Sequence, residues 1–243
     1  MSSSFLWGLL AASSLVIGSV LTFRFRIGNR WLGLIMAFGA GVLISAVAFE
    51  MAHEATELVG GRGMAALGLF SGALAFFSGN LLIARMGGHK RKAIGASHGR
   101  EMAVPIVLGI VLDGIPESIV IGLSLLGGQT VSLAFLIAVF LSNLPESIAA
   151  TTGLLSGGWS RLHILGLWLL VAIVCALASL AGFSLFTNAS GATLAFIQGI
   201  AGGAILVMLA DTMIPEAYEH GGKLAGIITV VGFAVAVYFS LIS

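Results

Sequence analysis

The sequence predicts an all-α polytopic membrane protein with eight transmembrane helices in a single domain, and three observations carry that prediction. Only 9% of the 243 residues are charged and 58% are hydrophobic, whereas a soluble domain has about 25% charged residues. The apolar residues fall into eight runs, each about as long as a bilayer-spanning helix. The basic residues collect in alternate connections between those runs. No nucleic-acid partner is expected; the net charge of +1 itself says little, and the placement of the charges says more. The single cysteine, Cys175, lies in an apolar run and excludes a disulfide framework or a cysteine-based metal cluster.

The runs cover approximately 5–23, 31–50, 64–84, 102–126, 131–155, 162–186, 192–214 and 224–242. No charged segment precedes the first, so it reads as a retained helix and not as a cleaved signal. Arg24, Arg26 and Arg30 follow it. The second run carries Gly33, Ala37 and Gly41 at four-residue spacing, and Gly68 and Gly72 in the third and Gly199 and Gly203 in the seventh repeat the pattern. Small residues at this spacing let helix backbones approach closely in a membrane. Glu50, His53, Glu54 and Glu57 gather at the end of the second run as a candidate cation entrance or as ordinary interfacial polar residues. His53-Glu54-x-x-Glu57 lacks the second histidine of a zinc-protease motif.

The connection after the third run holds Arg85, Lys90, Arg91, Lys92 and Arg100, with His89 and His98 among them. That much positive charge favours a cytoplasmic loop at a lipid surface over a cation-handling one. Arg161 and Lys223 mark two more connections on the same side, and only Arg62 falls on the other. The positive-inside rule then puts both termini outside the cytoplasm, in a multi-pass protein of the cytoplasmic membrane. Near the cytoplasmic end of the seventh run, Asp211, Glu216, Glu219 and His220 form a candidate exit for a cation. Asn80 and Gln198 read as interhelical hydrogen bonders.

The fourth and fifth runs hold the chemistry. LDGIPESI at 112–119 and LSNLPESI at 141–148 share L-x-x-x-P-E-S-I, 29 positions apart (112 to 141). Asp113, Glu117 and Glu146 fall near mid-helix, where a charged acid costs roughly 2.5–3.5 kcal/mol on insertion scales. No Lys or Arg lies within any run to offset this cost. The acids are therefore protonated, or they face a polar cavity and bind a cation. Asp113 and Glu117 are four residues apart on one helical face, as are Ser142 and Glu146, with Asn143 beside them. Pro116 and Pro145 lack an N–H, so the carbonyls of Leu112 and Leu141 lose their helical donors. A short connection makes the two helices antiparallel neighbours, with the helix-breaking prolines at similar depth. Each motif thus offers a carboxylate, a side-chain oxygen and a loosened carbonyl, an oxygen-rich set of the kind divalent cations want. No mid-membrane histidine is present to serve a hydrolase, so the chain reads as a non-enzyme.

The two motifs resemble the metal-binding signature of the ZIP (Zrt-, Irt-like protein) family of divalent metal transporters, whose fourth helix carries a His-Asn-x-Pro-Glu-Gly type sequence and whose fifth carries a similar one. FGAGVLISAVAFE (38–50) resembles that family's second helix, and GIAGGAILVMLADTMIPEA (199–217) its seventh. The resemblance implies eight helices with both termini outside, and a metal held near the midplane by Asp113, Glu117, Ser142, Asn143 and Glu146 between broken fourth and fifth helices. It also implies that helices 1, 4, 5 and 6 move as a unit against helices 2, 3, 7 and 8, and that helices 1–3 and 6–8 are inverted repeats. Gly41, Ala48, Glu54 and Ala55 match Gly203, Ala210, Glu216 and Ala217 at a constant offset of 162 (41 to 203), a faint trace of such a repeat.

The pattern also departs from the family. Asp113 stands where it has histidine, Gly114 where it has asparagine, and Ser142 where it has His or Gln; the sixth run has no acid, and Thr212 replaces a Glu. Without imidazole, the expected cargo shifts from zinc towards manganese or iron(II). The expectation is uptake of a divalent metal substrate with no cofactor required. Its partners are the ion, the lipid bilayer and, at most, a second copy of the chain in a homodimer. Two acids as close as Asp113 and Glu117 make proton-linked transport a further expectation. The alternatives are a ZIP-like protein that binds without transporting, and a carrier of protons or another cation.

Overall fold

A computed structural model describes residues 2–25, 27–53, 55, 63–86, 103–126 and 131–242 of the chain. Every regular element among them is helical. They are α1 (Ser2–Arg24), α2 (Asn29–Ala46), α3 (Met64–Arg85), α4 (Ala103–Leu123), α5 (Leu133–Ser156), α6 (Arg161–Phe186), α7 (Gly191–Gly221) and α8 (Leu224–Ile242). Among the described residues, seven helices are long and apolar enough to cross a membrane, and α8 adds a shorter apolar stretch. The chain is thus a helical, multi-pass membrane protein. Serine side chains cap the starts of α5, α6 and α7: Ser132, Ser160 and Ser190 accept hydrogen bonds from the backbone N–H of Phe135, His163 and Thr193. The Arg161 guanidinium at the start of α6 lies over the Phe23 ring near the end of α1, 5.6 Å from its centroid.

Two helices depart from regular geometry, and they are not the two that carry proline near mid-helix. The expected breaks at Pro116 and Pro145 do not occur: α4 and α5 run continuously through both. Each proline removes one backbone hydrogen bond, and the bonds on either side keep the helix in register. The irregular stretches are π-helical turns at Val47–His53, prolonging α2, and at Leu209–Met213, inside α7. The second run therefore extends past residue 50, and the seventh continues to Gly221.

The helices pack in two sets. One joins α1, α4, α5 and α6 through α1–α6, α4–α6 and α1–α5 contacts. The other joins α2, α3, α7 and α8 through α3–α7, α2–α8 and α2–α7 contacts. The sets meet where α2 packs on α5 and α4 on α7. An aliphatic cluster with Trp168 lies within the first set, and a larger cluster spans both. The expected close pairing of α4 with α5 is not seen; they touch only sparingly. Close approaches elsewhere explain this. A Cβ on Gly122 would collide with the Ser179 carbonyl of α6, and one on Gly18 of α1 would stand 2.9 Å from the Leu144 carbonyl of α5. Small residues thus draw α4 and α5 onto different partners.

The second set is built twice over. A Cβ on Gly41 of α2 would collide with the carbonyl of Thr229 in α8 and crowd the Phe233 nitrogen. A Cβ on Gly203 of α7 would collide with the carbonyl of Leu69 in α3 and crowd the Ala73 nitrogen. Gly232 meets the Phe38 carbonyl in the same way that Gly72 meets the Ile200 carbonyl. The α2 and α7 positions keep an offset of 162 (41 to 203, 38 to 200), as do the starts of the π-helical turns (47 to 209). The α2–α8 pair therefore repeats the α7–α3 pair at these close approaches.

One buried polar link ties α5 to α6. The Trp168 indole N–H donates to Thr151 Oγ1 at 2.9 Å, with both residues wholly buried. Replacing Thr151 with Val leaves the indole N–H without an acceptor. Interhelical hydrogen bonds in membranes average about 0.6 kcal/mol and reach about 1.7, so Thr151→Val is expected to lower stability by about 1 kcal/mol. Unfolding in a mixed-detergent titration checks this, and an unchanged midpoint would show that the bond contributes nothing net.

Candidate metal centre

The mid-membrane polar residues are all deeply buried. Asp113 and Glu117 on α4 are 2% and 1% exposed, and Glu146 on α5 is 3% exposed. Ser118, Ser142, Asn143 and Ser147 are buried with them. Among the described residues, no Lys, Arg or His is buried. Ionised acids in such an environment require a compensating cation or strong hydrogen-bond donors.

Local geometry shows how the Pro145 turn is accommodated. Gly39 of α2 lies against the Leu141 carbonyl that Pro145 releases, since a Cβ there would be 3.3 Å from that oxygen. The bare glycine lets α2 approach this side of α5 without covering the carbonyl with a side chain. Ser142 Oγ donates to the Val139 carbonyl at 3.0 Å, and Ser147 Oγ to the Leu144 carbonyl at 2.9 Å. Ser142 therefore has its proton committed and keeps its lone pairs to offer an ion.

A single cysteine cannot form a cysteine-based metal cluster, yet Cys175 of α6 reaches this region. Its Sγ lies 2.9 Å from where a Cβ on Gly114 would stand. The proximity has no local sequence signal, because Cys175 and Gly114 are far apart along the chain and meet only when α6 packs on α4. Gln198, expected to bond a neighbouring helix, is buried at 6% exposure, and its Oε1 has no hydrogen-bond partner among the described residues.

The candidate exit divides. Among the described residues, Glu216, Glu219 and His220 form the one trio of potential ligands whose donor atoms all lie within 4.8 Å of one another. They sit three and four residues apart on one face of α7. His220 Nδ1 lies 3.1 Å from the Glu216 carbonyl oxygen and 3.5 Å from its carboxylate Oε2. The mid-membrane acids do not gather as tightly. Asp211 stands apart from the trio: it is exposed and lines a groove of about 370 Å³ between α3 and α7. Thr212 Oγ1 bonds the Met208 carbonyl at 2.7 Å within the π-helical turns. At the candidate entrance, the backbones of Glu50 and His53 belong to the π-helical turns of α2. Their side chains lie outside the described residues, as do Glu54, Glu57, His89 and His98.

Compared with protein-family models the chain matches none, and it matches no curated protein.

Proposed function

We propose that this chain is a ZIP-like transporter that moves a divalent metal cation across a membrane, with eight crossings and both termini outside the cytoplasm. The observation that carries the proposal is the burial of three carboxylates, Asp113, Glu117 and Glu146, with no buried basic side chain among the described residues. A divalent ion entering from water is the kind of ligand that such a set of buried carboxylates attracts. Glu117 and Glu146 bind it most strongly, Asp113 adds a further oxygen, and Asn143 and Ser142 contribute neutral donors. Glu216, Glu219 and His220 receive it on the way out, because their grouped donors hold an ion only loosely at a partly exposed surface.

The division into two helix sets suits alternating access. The first set carries the acids of α4 and α5, and the second supplies α2 and α7 with their π-helical turns. Rocking one set against the other exposes the acids to each side in turn. The doubled architecture of the second set supports this, since inverted repeats give the two mouths equivalent frames.

The test is uptake into proteoliposomes containing a metal-sensitive dye, with a panel of zinc, cadmium, manganese, iron(II) and calcium. Saturable influx of at least one transition metal, well above empty liposomes, is expected. Saturable binding without influx would indicate a binding protein, and neither binding nor influx would remove the metal reading altogether.

A further inference from the structure

We infer that the groove between α3 and α7 binds one membrane phospholipid whose headgroup carries a primary ammonium, with that ammonium on Asp211 and an acyl chain along the apolar wall. The inference concerns an exposed face of the second helix set, and it stands whether or not the chain transports a metal.

Asp211 is an unusual residue for its position. It is exposed within the membrane-spanning part of α7, in a groove of about 370 Å³ lined by Leu69, Phe70 and Ala73 of α3 and by Gly203 and Val207 of α7. A carboxylate on such a surface calls for a cation or a proton. The two helices carry one Lys or Arg between them, Arg85 in the last turn of α3. They run side by side in the same direction, because Gly68 meets Phe196 and Gly72 meets Ile200. Eight residues separate Gly203 from Asp211 (203 to 211), about 12 Å of helix. The acid therefore lies at the end of the groove nearer Arg85, and the remaining length is hydrocarbon.

The α2–α8 pair shows the same seam covered. Phe49, related to Asp211 by the 162 offset (49 to 211), packs on Phe233 with ring centroids 6.2 Å apart. Phe233 meets Gly41 as Ala73 meets Gly203. Two rings in one pair are thus a carboxylate and an alanine in the other, and the groove lies where the rings would be. An acyl chain supplies the missing apolar contact. A primary ammonium gives the carboxylate charge-assisted hydrogen bonds, and the headgroup phosphate is left at the Arg85 end. A choline headgroup has no N–H to donate, and the carboxylate repels a headgroup with net negative charge. An acid reaching for interfacial water would account for the exposure of Asp211 but not for the loss of both rings. A second copy of the chain is the weaker occupant, since no Lys or Arg lies within any apolar run to meet the acid.

The experiment uses the full-length protein, delipidated in detergent and titrated with phosphatidylethanolamine, phosphatidylcholine or phosphatidylglycerol of matched chains. Bound lipid is counted by native mass spectrometry. Wild type should hold one phosphatidylethanolamine at least about tenfold more tightly than phosphatidylcholine, the discrimination expected of a hydrogen bond to a charged group. Asp211→Asn should lose most of that preference. Ala73→Phe rebuilds the counterpart of Phe233 in the groove and should lower retention of all three lipids while the unfolding midpoint holds. Equal retention of the ethanolamine and choline lipids by wild type, or an undiminished preference in Asp211→Asn, would overturn the inference. So would a dimer that Ala73→Phe disrupts, because a second copy would then be what covers the groove. Metal influx is read separately, so failure of lipid binding leaves the transport proposal standing.

Discussion

Glu117→Gln and Glu146→Gln should each reduce metal influx to below about a tenth of wild type while leaving the folded protein at least as stable. The two halves of this expectation come from the same physics. Glutamine has nearly the size of glutamate and keeps an acceptor and two donors, so packing among residues that are 1–3% exposed is preserved. What disappears is the charge. Burying that charge costs roughly 2.5–3.5 kcal/mol on insertion scales, so its loss should not lower the unfolding midpoint. If the acids were protonated structural residues bonded to neighbouring helices, an amide would take over that role and transport would survive. Proteoliposome influx and thermal unfolding, measured on the same preparations, separate the cases. A variant that is both stable and fully active would dismiss that glutamate as a ligand. Asp113→Asn is expected to act in the same direction with a smaller loss, because one carboxylate remains four residues away on the same helix.

Much of this arrangement is legible in the sequence because membranes write strong constraints into composition. The apolar runs locate the helices to within a few residues in most cases, since backbone groups in lipid must be satisfied within each segment. The acids at 113, 117 and 146 also announce themselves, being costly where they stand. What is not legible depends on how helices meet. The π-helical turns at Val47–His53 and Leu209–Met213 have no proline or glycine at their starts to mark them. Pro116 and Pro145 point to breaks that the surrounding hydrogen bonds absorb. The separation of α4 from α5 depends on where glycines admit a neighbouring backbone, as Gly122 does on α6. Cys175 illustrates the same limit: its approach to Gly114 of α4 exists only once α6 has packed there.

The offset of 162 is the instructive intermediate case. Four matching residues in a chain rich in glycine and alanine carry little information by themselves. Their packing carries more, because Gly41 and Gly203 meet equivalent backbone atoms of α8 and α3. That equivalence makes a quantitative prediction. Gly41→Val and Gly203→Val should both prevent assembly of a stable fold, and to a similar degree. In each case the new Cβ lands on a backbone carbonyl, of Thr229 or Leu69, which cannot rotate aside as a flexible side chain can. Overpacking that side chains absorb costs about 1–3 kcal/mol; here whole helices must separate, so a loss beyond about 3 kcal/mol is expected for both. Gly166→Ala and Gly226→Ala provide the contrast, since a Cβ at either position meets nothing within 4 Å. The measurement is the yield of monodisperse protein on size exclusion, followed by the unfolding midpoint of whatever survives. If Gly203→Val were tolerated while Gly41→Val was not, α3 would be free to move away from α7 and the two pairs would not bear equal loads. Equal losses would mean that the frame around each π-helical turn is held by the same contact.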